Sequence, residues 1–379
     1  MKQIYFDHAA TTPLLPEVAD LMHDILKNTY GNPSSIHATG RKAKAIIEEA
    51  RVQIAKLMGC NPSEICYTSG GTESDNIALR KAVACAGVKN IITTPIEHHA
   101  VLSTAELLQE ESNINLHLLK VDEKGNFSLA EMEKLLQNNK NCLVSIMHAN
   151  NELGNLSNID AIGKLCKQYE ALFHTDAVQT VGYFNFNLAE SNIDFLSASA
   201  HKFNGPKGIG FLYIKKGLKI TGLITGGGQE RSLRAGTENV ASIAGMAKAL
   251  SACYANLPEK SAHIKSIKQH FVKQLQEAIP TVTFNGDVDN SHYTVINVCL
   301  PNSEAADLFL FNLDLRGIAA SGGSACSSGA SQGSHVLTAI KCAEDKTNLR
   351  FSFGVFNKIE EVDEVIECLK SMMPESVKC

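Results

Sequence analysis

Residues 194–214 read DFLSASAHKFNGPKGIGFLYI. Asp194 to Ser197 and Gly208 to Ile214 are short apolar runs of strand character, and the small, turn-forming residues between them place Lys202 directly after a strand. A lysine held there, partly buried and less basic than a surface ammonium, has the chemistry to form a Schiff base with an aldehyde. Lys207 is its competitor within the stretch, but it follows Gly205-Pro206 and reads as a solvated turn charge.

Outward from this stretch, similar runs occur at Ile65 to Tyr67, Asn90 to Thr93, Leu116 to Leu119, Leu143 to Met147 and Ala171 to His174. Helical periodicity and capping signals alternate with them over roughly 16–28, 35–58, 73–87, 99–111, 128–138 and 158–170. Ser128 with Glu131 is one such signal, a capping box. Strands joined by connections of helical length predict an α/β fold class with a large domain built on a mostly parallel seven-stranded sheet. Beyond about residue 255 the pattern changes to a long charged helix near 258–278, strands near 281–284, 293–299 and 348–353, and a helix near 303–315. A final amphipathic helix carries Ile359, Val362, Ile366 and Leu369. This predicts a smaller α+β domain, with boundaries at 15–255 for the large domain and 1–14 plus 256–379 for the small one.

The chain has 379 residues, enough for two or three structural units at roughly 150 each. It is 44% hydrophobic and 20% charged, ordinary for a globular protein and unlike a disordered chain or a membrane bundle. Its formal charge of -5 offers no general attraction for nucleic acid or anionic lipid. No apolar run reaches the ~18 residues of a membrane span, and the charged start leaves no signal-peptide core, so a cytoplasmic location is the expectation. Eleven cysteines without a C-x-x-C pair argue against a disulfide framework or a zinc cluster, so no metal site is expected. Most of these thiols read as reduced and buried.

Two further strand ends carry polar chemistry. Ser69-Gly70-Gly71-Thr72 follows a strand and opens a helix, where backbone N–H groups and a hydroxyl suit a phosphate; the same turn is equally compatible with a structural role. In His174-Thr175-Asp176-Ala177-Val178-Gln179, Asp176 stands at a strand's carboxyl end, where it can meet a ligand's ring nitrogen or serve as a helix N-cap. A phosphate cup, a strand-end acid and a strand-end lysine together are what pyridoxal phosphate requires.

With these motifs in place, the sequence resembles the class V aminotransferase family and, within it, the cysteine desulfurases of the NifS and IscS type. Segments 5–13, 31–37, 68–76, 97–102, 147–154, 234–237, 324–328 and 350–352 carry the resemblance with the Asp176 and Lys202 segments, nearly end to end. It implies a pyridoxal-phosphate-dependent fold-type I homodimer with Lys202 as the Schiff-base lysine. Asp176 would keep the pyridine nitrogen protonated, and His98 would stack on the ring and assist proton transfer. Gln179 and Asn151 are implied at the ring's phenolic oxygen. Gly71, Thr72, Ser199 and His201 are implied at the phosphate, with Thr237 reaching it from the other subunit. Asn32, Asn151 and Arg350 are the implied substrate-binding residues; Arg350, whose planar fork suits a carboxylate, would read as a surface ion-pair residue outside this context.

Cys326 distinguishes the reactions. It lies among Ala320-Ser321-Gly322-Gly323-Ser324-Ala325 and Ser327-Ser328-Gly329-Ala330, whose small polar residues offer no apolar packing, so an exposed thiol is expected. The resemblance makes it the nucleophile that converts L-cysteine to L-alanine, carries the sulfur as a persulfide, and passes it to a protein acceptor in iron–sulfur cluster assembly or tRNA thiolation. Selenocysteine lyase or another class V aminotransferase activity is the alternative, with a non-catalytic sulfur-carrier scaffold disfavoured by the intact Lys202, Asp176, His98 and Cys326. The pattern departs from the better-known relatives at Gln229, in the short segment between Cys326 and Arg350, and in ending at Cys379; these departures bear on the acceptor.

Overall fold

The computed structural model describes residues 3–301, 309–322, 333–343 and 346–374. Cys326 therefore lies outside the described residues. The chain opens with a two-residue strand, β1 (Ile4–Tyr5), followed by α1 (Pro16–Asn28), started by its N-terminal proline, and α2 (Ala38–Met58), closed by a left-handed Gly59. Strands and helices then alternate as β2 (Ile65–Thr68), α3 (Gly71–Ala86), β3 (Asn90–Thr93), α4 (His99–Ser112) and β4 (Asn115–Leu118). The series continues with α5 (Leu129–Asn138), β5 (Cys142–Ser145), α6 (Ile159–Gln168), β6 (Leu172–Asp176), β7 (Phe195–Ser199) and β8 (Gly210–Ile214). At the expected capping box, the Ser128 hydroxyl accepts from the Glu131 amide and starts α5.

Among the described residues these strands form a seven-stranded sheet in the order β2-β8-β7-β6-β5-β3-β4, parallel except for β8, which runs antiparallel to both neighbours. The α/β fold with a mostly parallel sheet is thus as the sequence predicts. The exception has a local cause: only the short 3₁₀ turn Ala200–Lys202 and a Gly-Pro loop separate β7 from β8, too little chain for a helical crossover. β2, β3, β5, β6 and β7 are buried along their whole lengths or nearly so, as expected of strands covered on both faces.

A helix absent from the sequence reading, α7 (Val240–Tyr254), packs against α1 and α2. Its residues Ala241 to Ala247 are all buried, so it has no polar stripe and no amphipathic period to read. Gly245 permits the close approach, since a Cβ there would lie 2.8 Å from the Met22 side chain.

The remainder comprises α8 (Leu257–Ala278), β9 (Thr283–Asn285), β10 (Val295–Leu300), α9 (Phe309–Leu315), β11 (Ile318–Ala319), β12 (Ser321–Gly322), α10 (His335–Ala339), β13 (Thr347–Ser352) and α11 (Ile359–Met372). The expected helix near 303–315 is described only from Phe309 onward. An antiparallel sheet of order β12-β13-β10-β9 packs on α8 and α11, and β1 pairs in parallel with β11. Ile4 and Phe6 join Phe271, Phe351, Phe353 and Val362 in that second core, which carries the N-terminal segment across to the large sheet. Among the described residues no helix is long and apolar enough to cross a membrane.

Candidate active site

The carboxyl ends of β2, β6 and β7 converge on a cavity of about 230 Å³, where open α/β sheets place their ligands. Gly71, Thr72, His98, Asn151, Asp176, Gln179, Ser199, His201, Lys202 and Arg350 all line it. Ten of the residues singled out from sequence are therefore brought together. Asn32 and Thr237 are exposed and are not brought together with the others among the described residues that line this cleft.

The Lys202 ammonium donates to the carbonyls of Ala9, at 2.5 Å, and Ala10, at 2.9 Å. Its own carbonyl accepts from the Tyr183 hydroxyl at 3.0 Å, which fixes the turn from below. Lys207, by contrast, is exposed, as a solvated turn charge should be. Asp176 closes β6 and is 7% exposed; one carboxylate oxygen caps the turn by accepting from the Val178 amide at 2.9 Å. No helix follows Asp176 directly, so the expected helix N-cap is a turn cap instead, and the carboxylate has acceptor capacity left beyond it. Burial pushes the Asp176 carboxyl up to about 7, and the neighbouring Asp75 adds to the rise.

His98 is the N-cap of α4, its Nδ1 accepting from the Ala100 amide at 3.1 Å. Burial first, then the Lys202 charge, push its pKa down to about 4, so the ring is neutral. A neutral ring whose Nδ1 accepts carries its proton on Nε2. His98 thus has an Nε2–H donor to offer.

At the other end, Gly71 begins α3, so the phosphate-like turn is the helix's first turn with its N–H groups lacking intrahelical acceptors. A Cβ on Gly71 would lie 2.6 Å from Val178 Cγ2, so only glycine leaves that side chain in place. The hydroxyls of Thr72 and Ser199 and the His201 ring complete the lining there; His201 Nδ1 lies 3.1 Å from the Thr11 hydroxyl. Burial, then Lys202 and Lys207, keep His201 neutral by pushing its pKa down to about 4.

Arg350, 3% exposed, donates through Nη1 to the Asn151 carbonyl at 2.9 Å and through Nη2 to Asp7 Oδ1 at 3.0 Å. Among the described residues its Nε is buried without a hydrogen-bond partner, leaving one prong of a carboxylate-binding fork for an incoming anion. Sequence reasoning assigned no role to Asp7, Ala9, Ala10 or Asp75. The first three lie in the quoted segment 5–13 and Asp75 in segment 68–76, but their partners are far away in the chain and left no local signal.

The donor set fits pyridoxal phosphate: a buried acid and an amine face the same cavity, and a helix N-terminus with hydroxyls opens at one end. The orphaned Arg350 Nε adds a place for a carboxylate beyond the cofactor itself.

Comparison with known proteins points the same way. Residues 4–365 match the family described as aminotransferase class-V. The cysteine desulfurase IscS of Dictyoglomus turgidum is 42% identical over 376 residues, covering 98% of this chain and 95% of that protein. A putative cysteine desulfurase IscS 1 of Bacillus subtilis is 43% identical, covering 96% of each. Among solved structures, a NifS-like protein superposes with a TM-score of 0.90 at 36% identity, covering 98% of this chain and 99% of the other. SspA in complex with cysteine superposes with a TM-score of 0.82 at 34% identity, covering 94% of this chain and 100% of the other.

Proposed function

The chain belongs to the class-V aminotransferase family, and from that premise we propose that it is a pyridoxal-phosphate-dependent cysteine desulfurase. The observation that carries this reading is the convergence of Lys202, Asp176, His98 and Arg350 on one cavity. Members of the family use pyridoxal phosphate, which when bound supplies an aldehyde for imine formation and a ring that draws electrons from a substrate α-carbon.

Lys202 would hold the aldehyde, Asp176 the ring nitrogen, Gln179 and Asn151 the phenolic oxygen, and Gly71, Thr72, Ser199 and His201 the phosphate. Thr237 and Asn32, exposed and away from their own chain's cleft, would complete the partner's cleft in a homodimer. Arg350 orients the L-cysteine carboxylate, with Asn151 held against it through its carbonyl. Lys202 Nζ would carry the proton from the substrate α-carbon, and the His98 Nε2–H would donate across the cleft. The Cys326 thiolate attacks the substrate sulfur: the S–S bond forms, the carbon–sulfur bond breaks, and its electron pair is finally protonated at carbon. L-cysteine and the Cys326 thiol become L-alanine and a Cys326 persulfide, whose outer sulfur passes to a protein acceptor.

Turnover with L-cysteine tests this directly. The loaded protein is expected to release alanine and, with a thiol reductant, an equal amount of sulfide. Amino transfer to a keto acid without sulfide would instead mark an aminotransferase.

A further inference from the structure

Asp75, in the second turn of α3, is 1% exposed and borders the same cavity as Asp176. Among the described residues its Oδ1 has no hydrogen-bond partner, although it lies 3.4 Å from His174 Nε2. His174, wholly buried, is tied on its other side by Nδ1 to the Ser145 hydroxyl at 2.8 Å, and its Nε2 lies 3.1 Å from the Ser197 hydroxyl. A buried carboxylate with an orphaned oxygen is costly, and an asparagine would fill the same space without the charge.

We propose that Asp75 is an anionic positioning residue behind Asp176, held through Ser197 and His174, whose charge tightens binding of a cofactor with a protonated ring nitrogen at the expense of the cofactor-free fold. The inference rests on reading the cleft as a pyridoxal phosphate site. The ionisable groups around the pair are His174 and Asp176 on β6, Glu97 ahead of α4, and Lys202 after β7. Burial pushes the Asp75 carboxyl up to about 7, while it pushes His174 down to about 4 and keeps the ring neutral. Without a bound cation, the two acids raise the cost of each other's ionisation; a protonated ring nitrogen relieves both.

The test uses cofactor-free full-length protein, measuring thermal midpoint and equilibrium binding of pyridoxal phosphate and of its analogue with CH in place of the ring nitrogen. Asp75→Asn is expected to weaken pyridoxal phosphate binding about tenfold, the effect of one unit of proton affinity. It should leave binding of the analogue unchanged and raise the thermal midpoint of the cofactor-free protein. Asp75→Ser serves as the second variant should the amide misfold. Equal loss for both ligands, unchanged affinity, or a lowered midpoint would each overturn the proposal. Wild-type protein that fails to bind pyridoxal phosphate would overturn the reading of the cleft itself, a result distinguishable from all of these.

Discussion

Arg350 and Asp7, 343 residues apart in the chain, form a partly buried ion pair at 3.0 Å, and Arg350 lines the cleft. Asp7 holds Nη2, the Asn151 carbonyl holds Nη1, and among the described residues Nε lacks a partner, so the guanidinium is set in place before any substrate arrives. Arg350→Lys is expected to raise KM for L-cysteine roughly tenfold or more, because a point charge cannot reproduce the fork. Asp7→Asn should raise KM by a smaller factor, through loss of alignment. Steady-state kinetics check both, and an unchanged KM in Arg350→Lys would remove this residue from substrate binding.

Gly71→Ala forces a Cβ to within 2.6 Å of Val178 Cγ2, and both residues line the cleft, so the displaced side chain disturbs its lining. Overpacking of this kind costs about 1–3 kcal/mol, so cofactor affinity should fall about tenfold. Val178→Ala in the same chain should restore it. Equilibrium binding of the single and double variants measures the rescue.

Arg51 and Glu230 form a two-pronged ion pair at 2.7 and 2.8 Å, both side chains being only 2% exposed, with the guanidinium 4.4 Å over the Tyr67 ring. Glu230 also accepts from the Tyr67 amide, anchoring the loop that leads to Thr237 onto β2. Glu230→Ala leaves the buried guanidinium to the half-exposed Glu48 and the Ile65 carbonyl and should cost about 3 kcal/mol, the low end for a broken buried pair. A large fall in the thermal midpoint is the expected readout.

His8, His98, His148, His174 and His201 are pushed down to about 4 by burial, and His292 to about 3. An unfolded histidine binds its proton near pH 6.5 while these folded ones do not, so stability present above that pH is lost as the pH falls toward 4. Asp75, Asp176 and Glu152, pushed up to about 7, and Glu97 and Asp194, also raised by burial, act with the opposite sign: the fold keeps their protons, and that stability is lost as the pH rises. The histidines outnumber these acids, so the urea midpoint of the cofactor-free protein should rise from pH 4.5 to 6.5. Asp75→Asn should steepen the rise. Urea titrations across that range check both slopes.

Chemistry written at strand ends was legible in the sequence. Lys202, Asp176 and the Gly71 turn each follow an apolar run, and local pattern alone places them at the sheet's carboxyl edge. α7 was not legible, because a helix buried on every side has no polar face to give it a period. The reversal of β8 could have been read from the short Gly-Pro connection after Lys202, which leaves no room for a crossover. Asp7 with Arg350, Ala9 with Lys202, and Asp75 with His174 pair residues from distant segments. Spacing along the chain carries no record of such contacts.

The proposed division of work between the Lys202 amine and the Cys326 thiol is read by mass mapping of sulfur on the loaded enzyme. After a single exposure to L-cysteine without reductant, one added sulfur should appear on the peptide carrying Cys326 together with one alanine per active site, and Cys326→Ser should yield neither at the wild-type rate. Alanine formed at full rate with Cys326 replaced, or sulfur mapped to another cysteine, would contradict the account.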